Sequence, residues 1–478
     1  MSCSAAYAVQ FILSERELDL LAERLPAFKK IQAKCASPKS REVAALFRSH
    51  SRLYVKSYVL LAAISAIAKY RGSEGLSAGR IAGSITAVSA SYRVLYYLLG
   101  ALKDRMRTAD KYPHPAFKSK LAVPIASGLL SGTALALVPT GELRPYVALY
   151  TASKALEYLY NYFDDHGYLK NKPRVMGSWM LFPIAFSQLF HTFIFHPDCT
   201  PPSFSKLLFK LSDGYVPAAP SNFTADDHWP TPEQVVSGIA DISKLGYPRF
   251  VSPIMFPEKA TVAPALKQIE PVVSIAHPAI TTMTGALLHP YQPSEFRTYV
   301  DLILEKFGSV SKYVFALYLI FGFMRSGGKN ALPVTTSAVA NAIRTTVFVV
   351  MTGASAWSGI GVAQKFFGPR FIPLYRYRVI GFISGLWAFL DQVNGRSRYL
   401  FTARMAVRSY WKVLVKTGKV KPIPYGDVAL FSLSFAVIMA ILEHAPGSIS
   451  PPRLRKALNW ARSGKFTDAY VAVDKKQD

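Results

Sequence analysis

Apolar residues gather in ten runs along the chain, five in each half. They cover 54–68, 81–102, 121–138, 146–163 and 177–195, then 312–324, 333–352, 379–390, 399–415 and 428–442. A helix that crosses a bilayer needs about 20 predominantly apolar residues, and most of the runs come near that length. The first and fourth of each set are weaker. In 146–163, Ser153, Lys154, Glu157 and Asn161 recur three or four apart and share one helical face. Such a helix either lies on the membrane or crosses it with its polar face against other helices. The pattern predicts an all-α, polytopic helical membrane protein.

The two sets match at a single spacing. Ala87, Val88 and Arg93 reappear as Ala338, Val339 and Arg344. Thr151, Ala152 and Ala155 reappear as Thr402, Ala403 and Ala406, Gly167 and Lys170 as Gly418 and Lys421, and Pro201 as Pro452. Every pair is 251 apart. A register held over that distance implies two tandem homologous helical units, a common plan in transport proteins. The period is too long for a solenoid. The expected division is an N-terminal amphipathic segment at 1–50, a membrane unit at 51–212, a connector at 213–300, a second membrane unit at 301–463 and a polar tail at 464–478. The connector is rich in proline, as in Pro253-Ile254-Met255-Phe256-Pro257, and proline breaks long helices. Short helices lying on the membrane are expected there.

Charge sharpens this picture. Only 18% of the 478 residues are charged, against about 25% in a soluble domain. Lys and Arg number 56 against 29 Asp and Glu, a net charge of +27. A basic surplus suits nucleic acid, or loops held on the electronegative side of a membrane. Here the basic clusters fall between apolar runs, and no zinc-finger or basic-zipper spacing occurs, so nucleic acid is set aside as a partner. The loops after the second and fourth runs are basic in both halves. They carry Lys103, Arg105, Arg107, Lys118 and Lys120, then Lys170, Lys172 and Arg174 in the first half. The second has Lys365, Arg370, Arg376 and Arg378, then Lys416, Lys419 and Lys421. Placing all of them on one side requires an even number of crossings per unit. Four are expected, with 54–68 and 312–324 lying at the interface.

Candidate chemistry is sparse. Arg93 and Arg344 sit inside the second run of each unit, where a charge costs about 2.5–3.5 kcal/mol at the bilayer centre. They either snorkel to the interface or form a polar lining where the copies meet. Glu157 aligns with Arg408 at the repeat spacing, so pseudo-symmetry pairs opposite charges as a functional contact or as packing glue. Gly128 and Gly132 form a GxxxG pair, and Gly385 marks a related spot in the second unit; small residues let membrane helices approach closely. Asp164-Asp165-His166 and Asp226-Asp227-His228 read as solvated loops, since a metal needs ligands converging from elsewhere. Cys3, Cys35 and Cys199 are too few and scattered for disulfides or zinc. His191, His196 and Cys199 flank the fifth run and make a poor case for an intramembrane enzyme. No nucleophile elbow, Walker loop, GxGxxG or HExxH occurs. The expectation is no enzyme, no cofactor and no metal. No secretory signal opens the chain, and Glu15, Glu17, Asp19 and Glu23 argue against a mitochondrial presequence in the amphipathic stretch 7–24. Asn222 opens a glycosylation sequon, and Lys475-Lys476 has the spacing of a dilysine retrieval signal.

The stretch Leu149 to Tyr160, with Ser153, Lys154 and Glu157 and followed by Gly167, resembles the transmembrane protein 135 family, as does His289-Pro290 with the run Tyr313 to Ile320. The second unit keeps Thr402 and Ala403 but departs at Arg404, Met405 and Arg408. That family is distantly similar to four-span subunits of mitochondrial protein import. The resemblance implies a multi-pass protein of the peroxisomal membrane, with the mitochondrial membrane next; the dilysine adds the endoplasmic reticulum as a third place. It implies support of lipid and fatty-acid handling and organelle dynamics, as a transporter or channel; the alternative is a scaffold or adaptor that recruits partners through the connector. The expected partners are the lipid bilayer, lipids or small solutes, and other proteins or a second copy of the chain.

Overall fold

The computed structural model describes residues 38–70, 75, 77–108, 118–169, 177–212, 214–220, 229–259, 262–326, 331–368 and 371–470, with positions 20, 23 and 24. Cys3, Cys35, the rest of 7–24, the basic loop Lys170, Lys172 and Arg174, Arg370, the triplet Asp226-Asp227-His228, the sequon and the dilysine lie outside the described residues. Those described form α-helices joined by 3₁₀ turns and loops, with no β-sheet. The first half holds α1 (Pro38–Tyr70), α2 (Ala78–Thr108), α3 (Ala122–Gly132, continued by a 3₁₀ turn Thr133–Leu137), α4 (Leu143–Asp165), α5 (Leu181–Phe195) and α6 (Pro202–Lys210). The connector holds α7 (Pro232–Lys244), α8 (Glu270–Ser274) and α9 (Met283–Leu288). The second half holds α10 (Glu295–Ser326), α11 (Ala331–Phe366), α12 (Arg376–Gly385, continued by a 3₁₀ turn Leu386–Asp391), α13 (Arg396–Lys416), α14 (Gly426–His444) and α15 (Pro452–Ser463).

Among the described residues, six helices are long and apolar enough to cross a membrane: α1, α2, α5 with its leading 3₁₀ turn, α10, α11 and α14. The protein is an all-α polytopic membrane protein. At 1.5 Å per residue, the 32 residues of α10 reach about 48 Å, well beyond a hydrocarbon core of roughly 30 Å. The most apolar windows of α1 and α10 are almost wholly uncovered by protein, 6% and 0% buried. Val55, Val59, Leu60 and Ile64 on α1, and Leu304, Leu317, Ile320 and Phe321 on α10, are all exposed. Apolar faces of that length are not stable against water, and lipid is their natural solvent. Both helices thus have the length and composition of crossing helices, where the expectation placed these first runs flat at the interface. The apolar runs looked short because each is only the end of a longer helix with a polar start.

The chain forms two compact units, one of Met1–Asn171 with Pro422–Asp478, the other of Lys172–Lys421. In the first, α3 and α4 hold α14. A Cβ on Gly128 would lie 2.6 Å from the Cα of Ala436, and one on Gly132 would lie 2.5 Å from the Cα of Ser432, so α3 and α14 pack backbone to backbone and antiparallel. Meanwhile α4 runs parallel to α14 along its length. Arg144 pairs with Asp427 at 2.5 Å where the two helices start. Where they end, Asn161 donates to the Ser448 carbonyl at 3.0 Å and Ser448 Oγ donates to Asp165 at 2.7 Å. Tyr92, Leu135, Ala148, Tyr158, Phe435 and Met439 fill the core between these helices.

In the second unit α5 has the same surroundings. Cβ atoms on Gly381 and Gly385 of α12 would lie 2.8 Å and 2.5 Å from the Cα atoms of Ser187 and Pro183. Parallel to α5 runs α13. Phe182 meets the Tyr399 ring near the starts, Ser409 donates to Thr192 Oγ1 at 3.0 Å farther on, and Lys416 pairs with Asp198 at 2.6 Å at the ends. Phe182, Phe186 and Phe190, one helical turn apart, stack along α5 at 5.5 and 6.0 Å. The connector is short-helical, as its prolines dictate, yet it does not lie on the surface. Val235, Ile239 and Ile242 of α7, with Leu266, Ile269, Val272 and Leu287, are buried in the same core. Thr231 caps α7 through a reciprocal capping box with Gln234, just before Pro232.

Candidate functional site

The helices α10 and α11 form an antiparallel pair. Glu295 near the start of α10 faces Lys365 near the end of α11 at 3.5 Å, and farther along, the hydroxyls of Tyr318 and Thr345 are 2.9 Å apart. Toward the end of α10 and the start of α11, the pair lines a cavity of about 750 Å³. Val314, Leu317, Phe321 and Ala338 make its apolar walls, and Tyr318, Asn341, Thr345, Asn394 and Arg398 its polar side.

Behind that polar side is a charge pair. Asp391 ends the 3₁₀ turn after α12, and Arg398 opens α13. The tight turn between them is closed by the Gly395 N–H donating to the Asp391 carbonyl at 2.9 Å. This brings the Arg398 guanidinium onto the Asp391 carboxylate, whose residue is 1% exposed. Arg398 also donates to the Tyr318 hydroxyl at 3.0 Å and to Thr345 Oγ1 at 3.3 Å. A buried carboxylate is tolerated only with such partners, since an isolated one costs many kcal/mol. The Arg398 side chain remains 36% exposed, and its Nε has no protein partner. The arrangement thus presents a fixed cation to one side of an apolar space, which suits a small acidic or polar head attached to an apolar body.

The residues singled out by sequence are dispersed. Arg344 directly precedes Thr345, is exposed on α11, and its charge acts on Asp391. Arg93, half-buried on α2, lies in the first unit, where its guanidinium covers Gly464 and its charge interacts with Glu42. Glu157 is engaged by Lys154 on its own helix at 2.8 Å. Arg408 is partly buried on α13 in the second unit. Gly128, Gly132 and Gly385 stand at the helix contacts described above. Seven of the basic loop residues are helical: Lys103, Arg105 and Arg107 end α2, Lys365 and Lys416 lie in the last turns of α11 and α13, and Arg376 and Arg378 form the first turn of α12, where Arg376 is 1% exposed and stacked on the Tyr247 ring at 4.0 Å. Cys199 is a buried free thiol, and among the described residues no three His, Cys, Asp or Glu side chains group as metal ligands. Asp391, Arg398, Tyr318 and Gly381 were not singled out from sequence. One signal for Asp391 was present: it is the only acidic residue between Glu305 and Asp427. An acid alone in a stretch this long and apolar is expected to be paired and buried.

No family model, no curated protein and no solved structure matches the chain.

Proposed function

We propose that this protein is a non-enzymatic carrier or channel for lipids or fatty acids, built from a duplicated helical unit, in the membrane of the peroxisome or, failing that, the mitochondrion. The observation that supports a carrier is the apolar-walled cavity between α10 and α11 with the Asp391–Arg398 pair at its polar side. An amphiphile lying among lipid-facing helices would leave its chain against Leu317 and Phe321 and bring its head to Arg398. The organelle rests on the family resemblance, and tagged protein imaged beside peroxisomal and mitochondrial markers tests it.

Transport is tested by reconstitution. Vesicles containing the purified chain should move a fluorescent fatty acid or phospholipid across the bilayer. Arg398→Gln should lower that flux about tenfold, the loss typical of one charge-assisted contact. Because breaking a buried ion pair destabilises by about 3–5 kcal/mol, Leu317→Trp serves as the companion variant. It fills the cavity from an exposed wall and leaves the pair intact. Wild-type vesicles that move nothing, or Leu317→Trp vesicles with unchanged flux, would overturn the proposal.

One observation favours the second reading, a scaffold. Val251, Ile254, Met255 and Phe256 are exposed together between α7 and α8. A partner docked there should be lost from Ile254→Ser/Phe256→Ser protein whose flux is normal. Deletion of 213–300 is not a usable test, because it removes the core residues of α7 to α9.

A further inference from the structure

A second cavity of the same unit, of about 380 Å³, opens where α5 and α13 end and α12 begins. His191, His196, Lys244, Arg378 and Lys419 line it, and no carboxylate does. Two nearby acids are already paired: Asp241 holds the lining Lys244 at 2.9 Å and offsets its charge, and Asp198 holds Lys416 at 2.6 Å. The Lys416 ammonium on Asp198 holds that carboxyl below its ordinary range, so it stays ionised and spent on its partner. Arg378 and Lys419 have no carboxylate partner among the described residues.

The positions of these cations are fixed by the fold. Arg378 sits in the first turn of α12, and its guanidinium lies 5.6 Å from the centroid of the Tyr375 ring, which orients the planar group. Its Nε is buried without a protein partner. Lys419 follows Gly418, whose φ of +70° closes the end of α13, and the Lys419 N–H donates to the Leu414 carbonyl at 3.0 Å. His191, 8% exposed, has a buried Nδ1 with no protein partner, and Tyr410 and Thr417 add hydroxyls to the lining. Burial first, and then the charge of Lys416, lower the pKa of His196, so that ring is neutral near pH 7 and can either donate or accept one hydrogen bond. The start of α12 contributes a positive helix end, and the negative ends of α5 and α13 oppose it, so attraction rests on the side chains. Phe195, Leu374, Val413 and Leu414 supply an apolar side.

From this geometry we infer a binding site for a phosphoryl group, held by Arg378 and Lys419 at the end of the crossing helix α5. A phosphate oxygen pair matches the planar fork of Arg378, Lys419 adds a point charge, and the histidines and Tyr410 satisfy remaining oxygens. The group is either a lipid headgroup, its tails following the apolar side, or a free phosphate.

Full-length protein in phosphatidylcholine nanodiscs is titrated with inorganic phosphate by calorimetry, and is separately placed in nanodiscs containing phosphatidic acid and assayed for retained lipid by native mass spectrometry. Saturable binding of phosphate, of phosphatidic acid or of both supports the site and distinguishes its source. Arg378→Gln/Lys419→Gln should weaken that binding at least tenfold, and Lys419→Gln alone, an exposed change that spares packing, several-fold. Lys56→Gln, on the exposed face of α1, should leave it unchanged. The site is overturned if neither phosphate probe binds, if Lys419→Gln binds as wild type, if Lys56→Gln weakens binding equally, or if oleate competes better than phosphate, which would make the site one for carboxylates.

Discussion

At the scale of single residues, the glycines of α3 make the sharpest prediction. A side chain at Gly132 must displace the backbone of Ser432, whereas a Cβ on Gly83 of α2 meets nothing within 4 Å. Gly132→Ile should therefore destabilise the protein by about 1–3 kcal/mol or more through overpacking, and Gly83→Ala should change stability little. Thermal unfolding in detergent separates the two. Asp468 offers a pH test. Arg455 grips its carboxylate twice, at 2.8 and 3.0 Å, and also donates to the Ile449 carbonyl at 2.9 Å. That hydrogen bonding holds the Asp468 carboxyl below its ordinary range. Because the folded pKa lies below the unfolded one, the stabilisation is complete above an ordinary carboxylate pKa of about 3.9 and disappears as pH falls through the folded value. Asp468→Asn should thus unfold more easily than wild type at pH 7, and the gap between their midpoints should narrow toward pH 3.

At the scale of elements, α4 and α13 decide how many helices cross. Neither is apolar enough to qualify alone, since Lys154 and Glu157 sit on one and Arg404, Arg408 and Lys412 on the other. Yet α4 accompanies α14 from the Arg144–Asp427 pair to the Ser448 turn, and α13 accompanies α5 from Phe182 to Asp198. A helix packed along the full length of a crossing helix occupies the same depth. The shorter α3 and α12 pack against α14 and α5 through their glycine pairs. The apolar runs and Gly128, Gly132 and Gly385 were readable because period, length and small-residue spacing are local properties. What was not readable depends on contacts between distant segments. The fifth helices α5 and α14 are each grouped with helices of the opposite half of the sequence. The connector's valines and isoleucines fill a core that no local pattern announces. These glycine contacts do not keep the expected spacing of 251: Gly381 and Gly385 follow Gly128 and Gly132 by 253 positions, whereas their partners Ser187 and Pro183 precede Ala436 and Ser432 by 249. A spacing of 251 from Gly128 falls at position 379, two residues short of Gly381.

At the scale of the whole molecule, six of the described helices qualify as crossings by length and apolarity, and counting α3, α4, α12 and α13 with them gives the prediction of five crossings in each half, ten in all, against the expected four. An odd number per half inverts the second half relative to the first, the plan of inverted-topology transporters. The case for an even number rested on basic loops shared by both halves. In the second half, however, Arg376 is buried, Arg378 lines a cavity and Lys416 is paired with Asp198, so these charges serve internal contacts and carry less weight as sidedness signals. The most direct measurement places single cysteines, in a background without Cys3, Cys35 and Cys199, at the exposed positions Arg107 and Phe366 that end α2 and α11. Labelled with a membrane-impermeant maleimide in sealed, oriented vesicles, the two sites should react from opposite sides. Reaction of both from the same side would contradict five crossings per half and return the chain to an even count.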